Sequence, residues 1–286
     1  MIDTLETDFE KKYMVGKEKQ DVAKSLLESL SLEEDYSNVL VLVLRPNYAV
    51  DFSNFDMYSI KGLDYVLSSC SKFETKVVDF DLKNDVIDVI KQNLTDKKYV
   101  LTLFSDTPLI TKKTVLEIVD YFLIKKLCSL KFNRGYMFET EYLKSSSKIY
   151  NPLEQTFFEE DFFKVFDSAS FSNAINILGQ RIISYHQSNG VIFLKPQTCY
   201  IDALVNIESG AFIGENTKIL GKSVIKTGVK IFGSTLDRVI IEKDAVIENS
   251  IVTNSVVNAG AKILDFSVVK NQTIESDKII ENEKRI

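Results

Sequence analysis

The chain is poor in the residues that disulfide frameworks, metal–thiolate sites and membrane spans require. Its 286 residues include only three cysteines, Cys70, Cys128 and Cys199, which are widely separated and show no metal-ligand spacing. No apolar run approaches the roughly 20 residues of a membrane-spanning helix, and residues 1–10 lack the apolar core of a signal peptide. We therefore expect a soluble, cytoplasmic protein without a membrane partner, whose cysteines are reduced core residues.

Positive charge is also scarce. Lys and Arg number 35 against 41 Asp and Glu, which gives a formal net charge of -6, and the lysines are scattered among acids. A nucleic-acid surface needs clustered positive charge, so nucleic acid is not expected as a partner. Histidine is the rarest titratable residue, with His186 as its single example.

Isoleucine, by contrast, recurs with a period of six. Six isoleucines follow this spacing from Ile201 to Ile231, and the pattern resumes after a slip around residues 234–240. The resumed positions are Ile241, Ile247, Ile251, Val257, Ile263 and Val269. Small or β-branched residues recur four positions after the first six isoleucines, at Val205, Ala211, Thr217, Ser223, Val229 and Thr235. A β-sandwich would show period two, whereas period six predicts a left-handed parallel β-helix of hexapeptide repeats, here of about four coils.

Upstream of the repeats, buried strands alternate with helices. Residues 38–44 (NVLVLVL) and 99–104 (YVLTLF) are uninterrupted apolar runs, typical of strands buried on both faces of a parallel sheet. A short strand is predicted at 76–80. Helical or amphipathic segments are predicted at 60–69, 85–94 and 111–126, the last capped by Thr111. This alternation indicates an α/β domain.

These patterns divide the chain into four parts. We predict a helical N-terminal element at residues 1–36 and the α/β domain at 37–170. A connecting helix and strand follow at 171–199, and the β-helix with its tail takes residues 200–286.

One aspartate stands where α/β proteins hold ligands. Asp106 follows the strand at 99–104 within the segment SDTPLI, and open α/β sheets bind ligands at the carboxyl ends of their strands. The alternative is a structural aspartate in the turn before Pro108.

Two segments resemble the bacterial bifunctional N-acetylglucosamine-1-phosphate uridyltransferase and glucosamine-1-phosphate acetyltransferase (GlmU-type) family. Members carry G-D-T/V-P-L-I, which DTPLI matches from Asp106 onward. They join their domains through H-x-x-x-G-V-x-[IF]-x-x-P-x-x-x-Y-I-D, which this chain matches from His186 to Asp202. The resemblance implies a reduced nucleotidyltransferase-like, Rossmann-type α/β domain before the β-helix. It also implies a structural role at the domain junction for His186.

The resemblance further implies a metal site. In the family, the aspartate of that segment and the asparagine of an I-N-T-G-I strand bind Mg²⁺. Asp106 and Asn133 are the matching positions here, with Arg134 in place of the usual threonine. Two oxygen donors together with phosphate oxygens and water would suit Mg²⁺. A plain Asn-Arg-Gly turn is the alternative, and no catalytic residue is assigned.

The phosphate-binding elements of the family are missing. Its glycine-rich loop, L-A-A-G-x-G-T-R-M, corresponds here to RPNYAVDFSNFDMYSIKG, in which no glycine precedes Gly62. Without glycine, backbone N–H groups cannot approach phosphates as closely, and only Arg45 and Lys61 remain as phosphate-binding residues. The 26 residues between Asp106 and Asn133 also leave no room for the family's sugar-binding subdomain.

Three functions therefore stay open. The first is a UDP-N-acetylglucosamine pyrophosphorylase-like protein with weakened or lost catalysis, which binds a nucleotide or sugar-phosphate ligand with Mg²⁺. The second is a non-catalytic trimeric scaffold or regulatory pseudoenzyme. The third is a hexapeptide-repeat acyltransferase, which would need a base other than histidine because residues 200–286 contain none. Since family members commonly trimerise through this element, we expect a homotrimer through the β-helix.

Overall fold

The computed structural model describes residues 36–146 and 153–281. The helical element predicted at residues 1–36 lies outside the described residues, apart from the start of a short 3-10 helix at Tyr36–Asn38.

Before the β-helix, the described residues form short and long strands interleaved with helices. The strands are β1 (Val39–Pro46), β2 (Asp56–Met57), β3 (Ile60–Lys61), β4 (Glu74–Phe80), β5 (Tyr99–Phe104), β6 (Ser129–Phe132), β7 (Gly135–Glu139) and β8 (Leu153–Gln155). The helices are α1 (Gly62–Ser69), α2 (Val86–Gln92), α3 (Lys112–Ile124), α4 (Thr140–Ser145) and α5 (Ser168–Ser188). The predicted alternation of strands and helices is confirmed, and Thr111 caps α3 by accepting a hydrogen bond from Thr114 N.

Six of these strands form one sheet in the order β4-β1-β5-β7-β6-β8. Strand β1 is parallel to both β4 and β5, whereas β7 is antiparallel to β5 and β6. The apolar run of β1 is explained by burial on both faces, because Val41 and Leu42 pack into different clusters on opposite sides of the sheet. The chain leaves β1 first toward β4 and then toward β5, so the topological switch point lies between β1 and β5.

The β-helix stacks its short strands in three parallel sheets, whose members come from successive coils. One sheet contains β10 (Tyr200–Ile201), β13 (Lys218–Leu220), β16 (Thr235–Asp237), β19 (Ile251–Thr253) and β22 (Val268–Lys270). The second contains β11 (Asn206–Ile207), β14 (Val224–Ile225), β17 (Ile240–Ile241), β20 (Val256–Val257) and β23 (Thr273–Ile274). The third contains β9 (Ile192–Phe193), β12 (Phe212–Ile213), β15 (Lys230–Phe232), β18 (Val246–Glu248), β21 (Lys262–Leu264) and β24 (Ile279–Glu281). These sheets confirm the predicted left-handed β-helix and give it five coils, one more than expected.

The isoleucine repeat lines the β-helix interior, with two corrections where the period shortens. Ile201 to Ile231 are buried as predicted, but the next inward residue is Leu236, five positions after Ile231. Another five-residue step places Val252 inside, so the inward position predicted for Ile251 is wrong, and Ile251 is 47% exposed. Ser234 likewise replaces Thr235 in the small position. Each shortened corner removes one residue, so the next inward residue comes after five positions, and the inward faces of the later coils continue to stack in register.

Small residues at the corners also close hydrogen bonds between coils. Ser234 Oγ donates to Phe232 O at 2.7 Å and accepts from Ser250 N at 3.1 Å. One coil further, Ser250 Oγ accepts from Ser267 N at 3.2 Å. The serine ladder Ser234–Ser250–Ser267 therefore satisfies backbone groups that a larger apolar side chain would leave unpaired.

Cysteine burial agrees with the prediction only in part. Cys70 is buried, and burial raises the pKa of its thiol to about 11. The core position predicted for Cys128 is wrong, since that side chain is exposed, and Cys199 is partly buried. Among the helices of the described residues, none combines the length and apolar character needed to cross a membrane.

Burial inside the β-helix is tested by two isoleucines. Ile263 is fully buried between Ile247 and Ile280 of adjacent coils, whereas Ile251 points outward. We expect Ile263→Ala to lower the free energy of unfolding by about 2–5 kcal/mol in urea titrations, because it leaves a cavity. The matched Ile251→Ala variant should cost much less, and equal losses would contradict the assigned inward and outward positions.

Candidate functional site

The carboxyl ends of β1 and β5 meet at Asp106, whose backbone is held on both sides. Ser105 N donates to Leu44 O at 2.9 Å, which ties the end of β5 to β1. Val165 N donates to Asp106 O at 2.7 Å, which brings the segment before α5 against the same point. The side chain of Asp106 is 3% exposed. A buried carboxylate thus lies at the switch point, where ligands bind in open α/β sheets.

Arg134 neutralises this carboxylate. Because β7 runs antiparallel to β5, its first residue lies near the carboxyl end of β5, and the turn before it brings Arg134 to Asp106. Arg134 Nε donates to Oδ1 at 2.7 Å and Nη2 donates to Oδ2 at 2.5 Å. The guanidinium carbon lies 4.3 Å from the centroid of the Phe104 ring. Two parallel bonds and a stacked ring fix both the position and the plane of the guanidinium.

Tyr48 completes the environment of Asp106. Its hydroxyl donates to Asp106 Oδ2 at 2.7 Å and accepts a longer bond from Arg134 Nη2 at 3.4 Å. Burial is the largest cause that raises the pKa of Tyr48 well above its ordinary value, followed by the hydrogen bond to Asp106 and its charge. The phenol therefore stays protonated and remains a donor at neutral pH.

A second cation, Lys164, lies on the outer side of Tyr48. Its Nζ is 5.3 Å from the Tyr48 ring centroid and 5.2 Å from that of Phe166, which is 49% exposed. Cation–π contacts with these two rings hold the ammonium group. The switch point thus combines one buried carboxylate with two cations and three aromatic side chains, Tyr48, Phe104 and Phe166.

A polar cavity of about 460 Å³ opens beside Tyr48, at the carboxyl ends of β1 and β4. Its lining contains three aspartates, Asp51, Asp79 and Asp81, against one arginine, Arg45. Arg45 Nε donates to Asp79 Oδ1 at 2.7 Å, so its charge is already compensated. This cavity suits hydroxyl and amide groups better than a triphosphate, since carboxylates repel phosphate oxygens.

The structure does not bring the two predicted phosphate-binding residues together. Arg45 lines the cavity, whereas Lys61 lies exposed in β3, where it is paired in register with Asp56 and is not part of the cavity lining. The phosphate role of these two residues therefore stays a prediction.

The segment that corresponds to the family's glycine-rich loop ends in the β2–β3 hairpin. Tyr58 and Ser59 occupy its turn with φ values of 51° and 65°, in the left-handed region where two-residue hairpin turns place their central residues. The Tyr58 ring stacks on Tyr200 with centroids 4.6 Å apart, and Ser59 Oγ donates to Asp202 Oδ2 at 2.6 Å. This hairpin therefore braces the first coil of the β-helix.

Two further residues shape this junction. Asp202 Oδ2 also accepts from Gly221 N at 2.7 Å, so one buried carboxylate joins the hairpin to two coils. Gly179 of α5 leaves room for Tyr58, because a Cβ there would lie 2.0 Å from the Tyr58 hydroxyl oxygen. The hydrogen bonds and ring contact described for this junction are separate from those described for Asp106.

His186 lies at this junction too, in the last turn of α5. It is buried, and burial lowers the pKa of its imidazole. Its backbone oxygen accepts the N–H groups of Asn189 and Val191, at 3.2 and 3.0 Å, where the chain leaves α5 for β9. These features support a structural role for His186.

The arrangement around Asp106 and Asn133 does not fit Mg²⁺ as it stands. Both oxygens of Asp106 are bonded to Arg134, and Asn133 Oδ1 accepts from Phe157 N at 2.8 Å. Mg²⁺ demands free oxygen donors in near-octahedral geometry, so Arg134 would have to move away. Within residues 36–146 and 153–281, no group of three or more His, Cys, Asp or Glu is placed to bind a metal ion. The metal site at Asp106 and Asn133 stays a prediction, and Asn133 and Arg134 lie in the turn of the hairpin between β6 and β7.

Two residues of the site were not predicted. Tyr48 lies in the loop that replaces the glycine-rich segment, and Lys164 lies in the aromatic and acidic stretch before α5. Neither belongs to a motif. Arg134 did carry a signal, because a guanidinium stands where the resembling family has a hydroxyl.

Comparison with known proteins confirms the resemblance to GlmU-type proteins. Bifunctional protein GlmU of Campylobacter jejuni subsp. doylei is 32% identical over 161 residues, which cover 55% of this chain and 35% of that protein. GlmU of Enterococcus faecalis is 31% identical over 154 residues, which cover 47% and 33%. The chain thus spans about a third of the length of these curated relatives. No family model matches the chain.

Among solved structures, the chain is similar to 4-diphosphocytidyl-2C-methyl-D-erythritol synthase of Anaerococcus prevotii. The alignment covers 50% of this chain and 99% of that one, at 9% identity and a TM-score of 0.35. So weak a likeness has no bearing on function.

Tyr48 offers a test of the site's hydrogen bonds. Tyr48→Phe removes the hydroxyl that donates to the charged Asp106, and we expect the free energy of unfolding to fall by about 1–3 kcal/mol. Urea unfolding of the wild type and the variant measures this difference in the free energy of unfolding. Tyr185→Phe, at a tyrosine that is 65% exposed, serves as the control and should change little. A Tyr48→Phe variant as stable as this control would contradict the role given to the hydroxyl.

Proposed function

We propose that this GlmU-like chain binds a nucleotide or sugar-phosphate ligand at the switch point and does not carry out uridylyl transfer. The observation that carries the proposal is the two-bond ion pair of Asp106 with Arg134, which occupies the carboxylate that transfer chemistry would need free. The protein would then act as a regulatory pseudoenzyme of nucleotidyltransferase origin.

The absence of transfer is supported by what surrounds the pair. Phosphoryl and nucleotidyl transfer depend almost entirely on positioning and on neutralising negative charge. Here the hairpin at Asp56–Lys61 braces the β-helix, and the cavity beside Tyr48 carries three aspartates. Neither feature provides backbone N–H groups or free positive charge for a triphosphate.

A phosphate-bearing ligand is supported by the two cations. Arg134 donates hydrogen bonds to Asp106 through Nε and Nη2, and its side chain is 23% exposed. Lys164 holds its ammonium group over two rings. A phosphate placed between these cations could also reach the cavity with its attached sugar, where amide and carboxylate groups would bind hydroxyls.

An active Mg²⁺-dependent pyrophosphorylase is the alternative within the same lineage. It requires Arg134 to leave Asp106 when metal and nucleotide bind together. The hexapeptide-repeat acyltransferase hypothesis gains no support from the described residues, because the β-helix contains no histidine that could act as a base.

Ligand binding can be measured directly. In isothermal titrations with UTP, UDP-N-acetylglucosamine and N-acetylglucosamine 1-phosphate, we expect saturable binding of at least one ligand. Lys164→Ala should weaken it about tenfold, because one charge-assisted contact to phosphate is lost. Lys243→Ala, at an exposed lysine of the β-helix, is the matched control and should bind as the wild type does.

A pyrophosphate-release assay with UTP, N-acetylglucosamine 1-phosphate and Mg²⁺ completes the test. No release is expected from the wild type. Release that disappears in Asp106→Ala would overturn the non-catalytic assignment, and no binding of any of the three ligands would overturn the ligand site.

We also propose that the β-helix assembles the chain into a homotrimer through one face. In the sheet that contains β11, β14, β17, β20 and β23, the outward residue that precedes each inward residue is uncharged. These residues are Asn206, Val224, Ile240, Val256 and Thr273, and the three aliphatic residues stack directly in register. The other two sheets carry charges at outward positions, such as Lys218 and Lys262. An uncharged apolar stripe is the kind of surface that self-association buries.

Light scattering tests this assembly. We expect three times the monomer mass for the wild type and a shift toward the monomer for Ile240→Lys, because the lysine would place charge in the apolar stripe. The control is Ile251→Lys, which adds the same charge on a different face and should remain trimeric. A monomeric wild type over a range of concentrations would contradict the proposal.

A further inference from the structure

We propose that the guanidinium of Arg134 is a built-in substitute for a divalent cation on Asp106. The site would then be independent of metal, and a metal ion could bind to Asp106 only after Arg134 is removed. This inference is independent of which ligand the protein binds, because it concerns the chain's own charges.

The charge balance at the buried carboxylate supports this substitution. The side chain of Asp106 is 3% exposed, and a buried carboxylate requires a positive partner or strong hydrogen bonds. Its described side-chain partners are the neutral hydroxyl of Tyr48 and the cation of Arg134. Arg134 therefore provides the positive charge that contacts this carboxylate directly.

The geometry of the contact between Arg134 and Asp106 also supports this substitution. A guanidinium presents its N–H groups in one plane and so binds both oxygens of a carboxylate at once. Here both oxygens are engaged in this way, while the Phe104 ring packs against the guanidinium. Mg²⁺ or Mn²⁺ would need the same oxygens, so the metal and Arg134 exclude each other at Asp106.

The turn that contains Arg134 packs tightly against β5. Gly135 follows it at the start of β7, and a Cβ there would lie 2.4 Å from Thr102 O. The hairpin therefore packs directly against the backbone of β5, which leaves little freedom for the residue before it. The backbone of Arg134 is thus held in the turn beside the carboxyl end of β5.

Removal of the guanidinium should expose a cation site. Arg134→Ala would leave a carboxylate, the Tyr48 hydroxyl and the solvent-filled volume vacated by the side chain. A divalent cation that keeps several water ligands could bind there through Asp106. Protonation of the carboxyl group is the competing response, and it would produce no metal binding.

The test is a titration with Mn²⁺ alone, followed by electron paramagnetic resonance of free Mn²⁺. We expect no Asp106-dependent binding in the wild type and about one bound ion in Arg134→Ala, with at least tenfold higher affinity. The double variant Arg134→Ala/Asp106→Asn should lose this binding. Metal binding by the wild type that Asp106→Asn abolishes would overturn the proposal.

A second variant covers the risk that Arg134→Ala folds poorly. Arg134→Gln keeps much of the side-chain stem over Phe104 without the charge, and thermal unfolding of both variants is measured with and without Mn²⁺. We expect Mn²⁺ to raise their midpoints and to leave the wild-type midpoint unchanged. If neither variant responds to Mn²⁺, the proposal is wrong, whatever the outcome of the nucleotide titrations.

Discussion

The contact between Asp106 and Arg134 determines what the rest of the switch point can do. A buried carboxylate at the carboxyl end of a central strand must be compensated, and compensation by a guanidinium is permanent in a way that compensation by a metal is not. The turn before the antiparallel strand β7 supplies this cation, so sheet topology and site electrostatics are coupled. Tyr48 and Phe104 then fill the space around the pair and limit how other groups can approach.

Contacts at the domain junction likewise restrict a segment that could otherwise bind a ligand. In the resembling family the segment after the first strand contacts phosphates, whereas here it reaches the β-helix through Tyr58 and Ser59. Gly179 and Asp202 accommodate this contact from the other side. A segment that holds two domains together cannot easily reshape itself around a nucleotide, because each movement would break interdomain contacts.

Much of the fold was predictable because the spacing of apolar residues along the chain reflects its strands and coils. The apolar runs of β1 and β5 and the six-residue repeat from Ile201 to Ile231 each match an element of the structure. The assignment failed at Ile251, since a corner shortened by one residue does not interrupt a pattern of β-branched residues. The core position predicted for Cys128 was wrong for a different reason, because apolar neighbours in sequence do not ensure burial in the fold.

The site was less predictable than the fold. Asp106 could be placed at the strand end from local sequence, but its partner lies 28 residues away and depends on strand order and direction. Antiparallel pairing of β7 decides that Arg134 reaches Asp106, and no local pattern records that pairing. Lys164 depends likewise on the contact between Val165 and Asp106, which joins two distant segments.

The serine ladder has a consequence for how the β-helix can change in length. Since Ser234, Ser250 and Ser267 close their corners by hydrogen bonds to backbone groups, consecutive coils need not contain the same number of residues. Single-residue deletions at corners are thus absorbed locally, and the stacking of faces continues beyond them. The β-helix is consequently a scaffold whose outward surface can be re-patterned by small insertions and deletions, each of which turns a different set of side chains toward solvent while the interior stays filled.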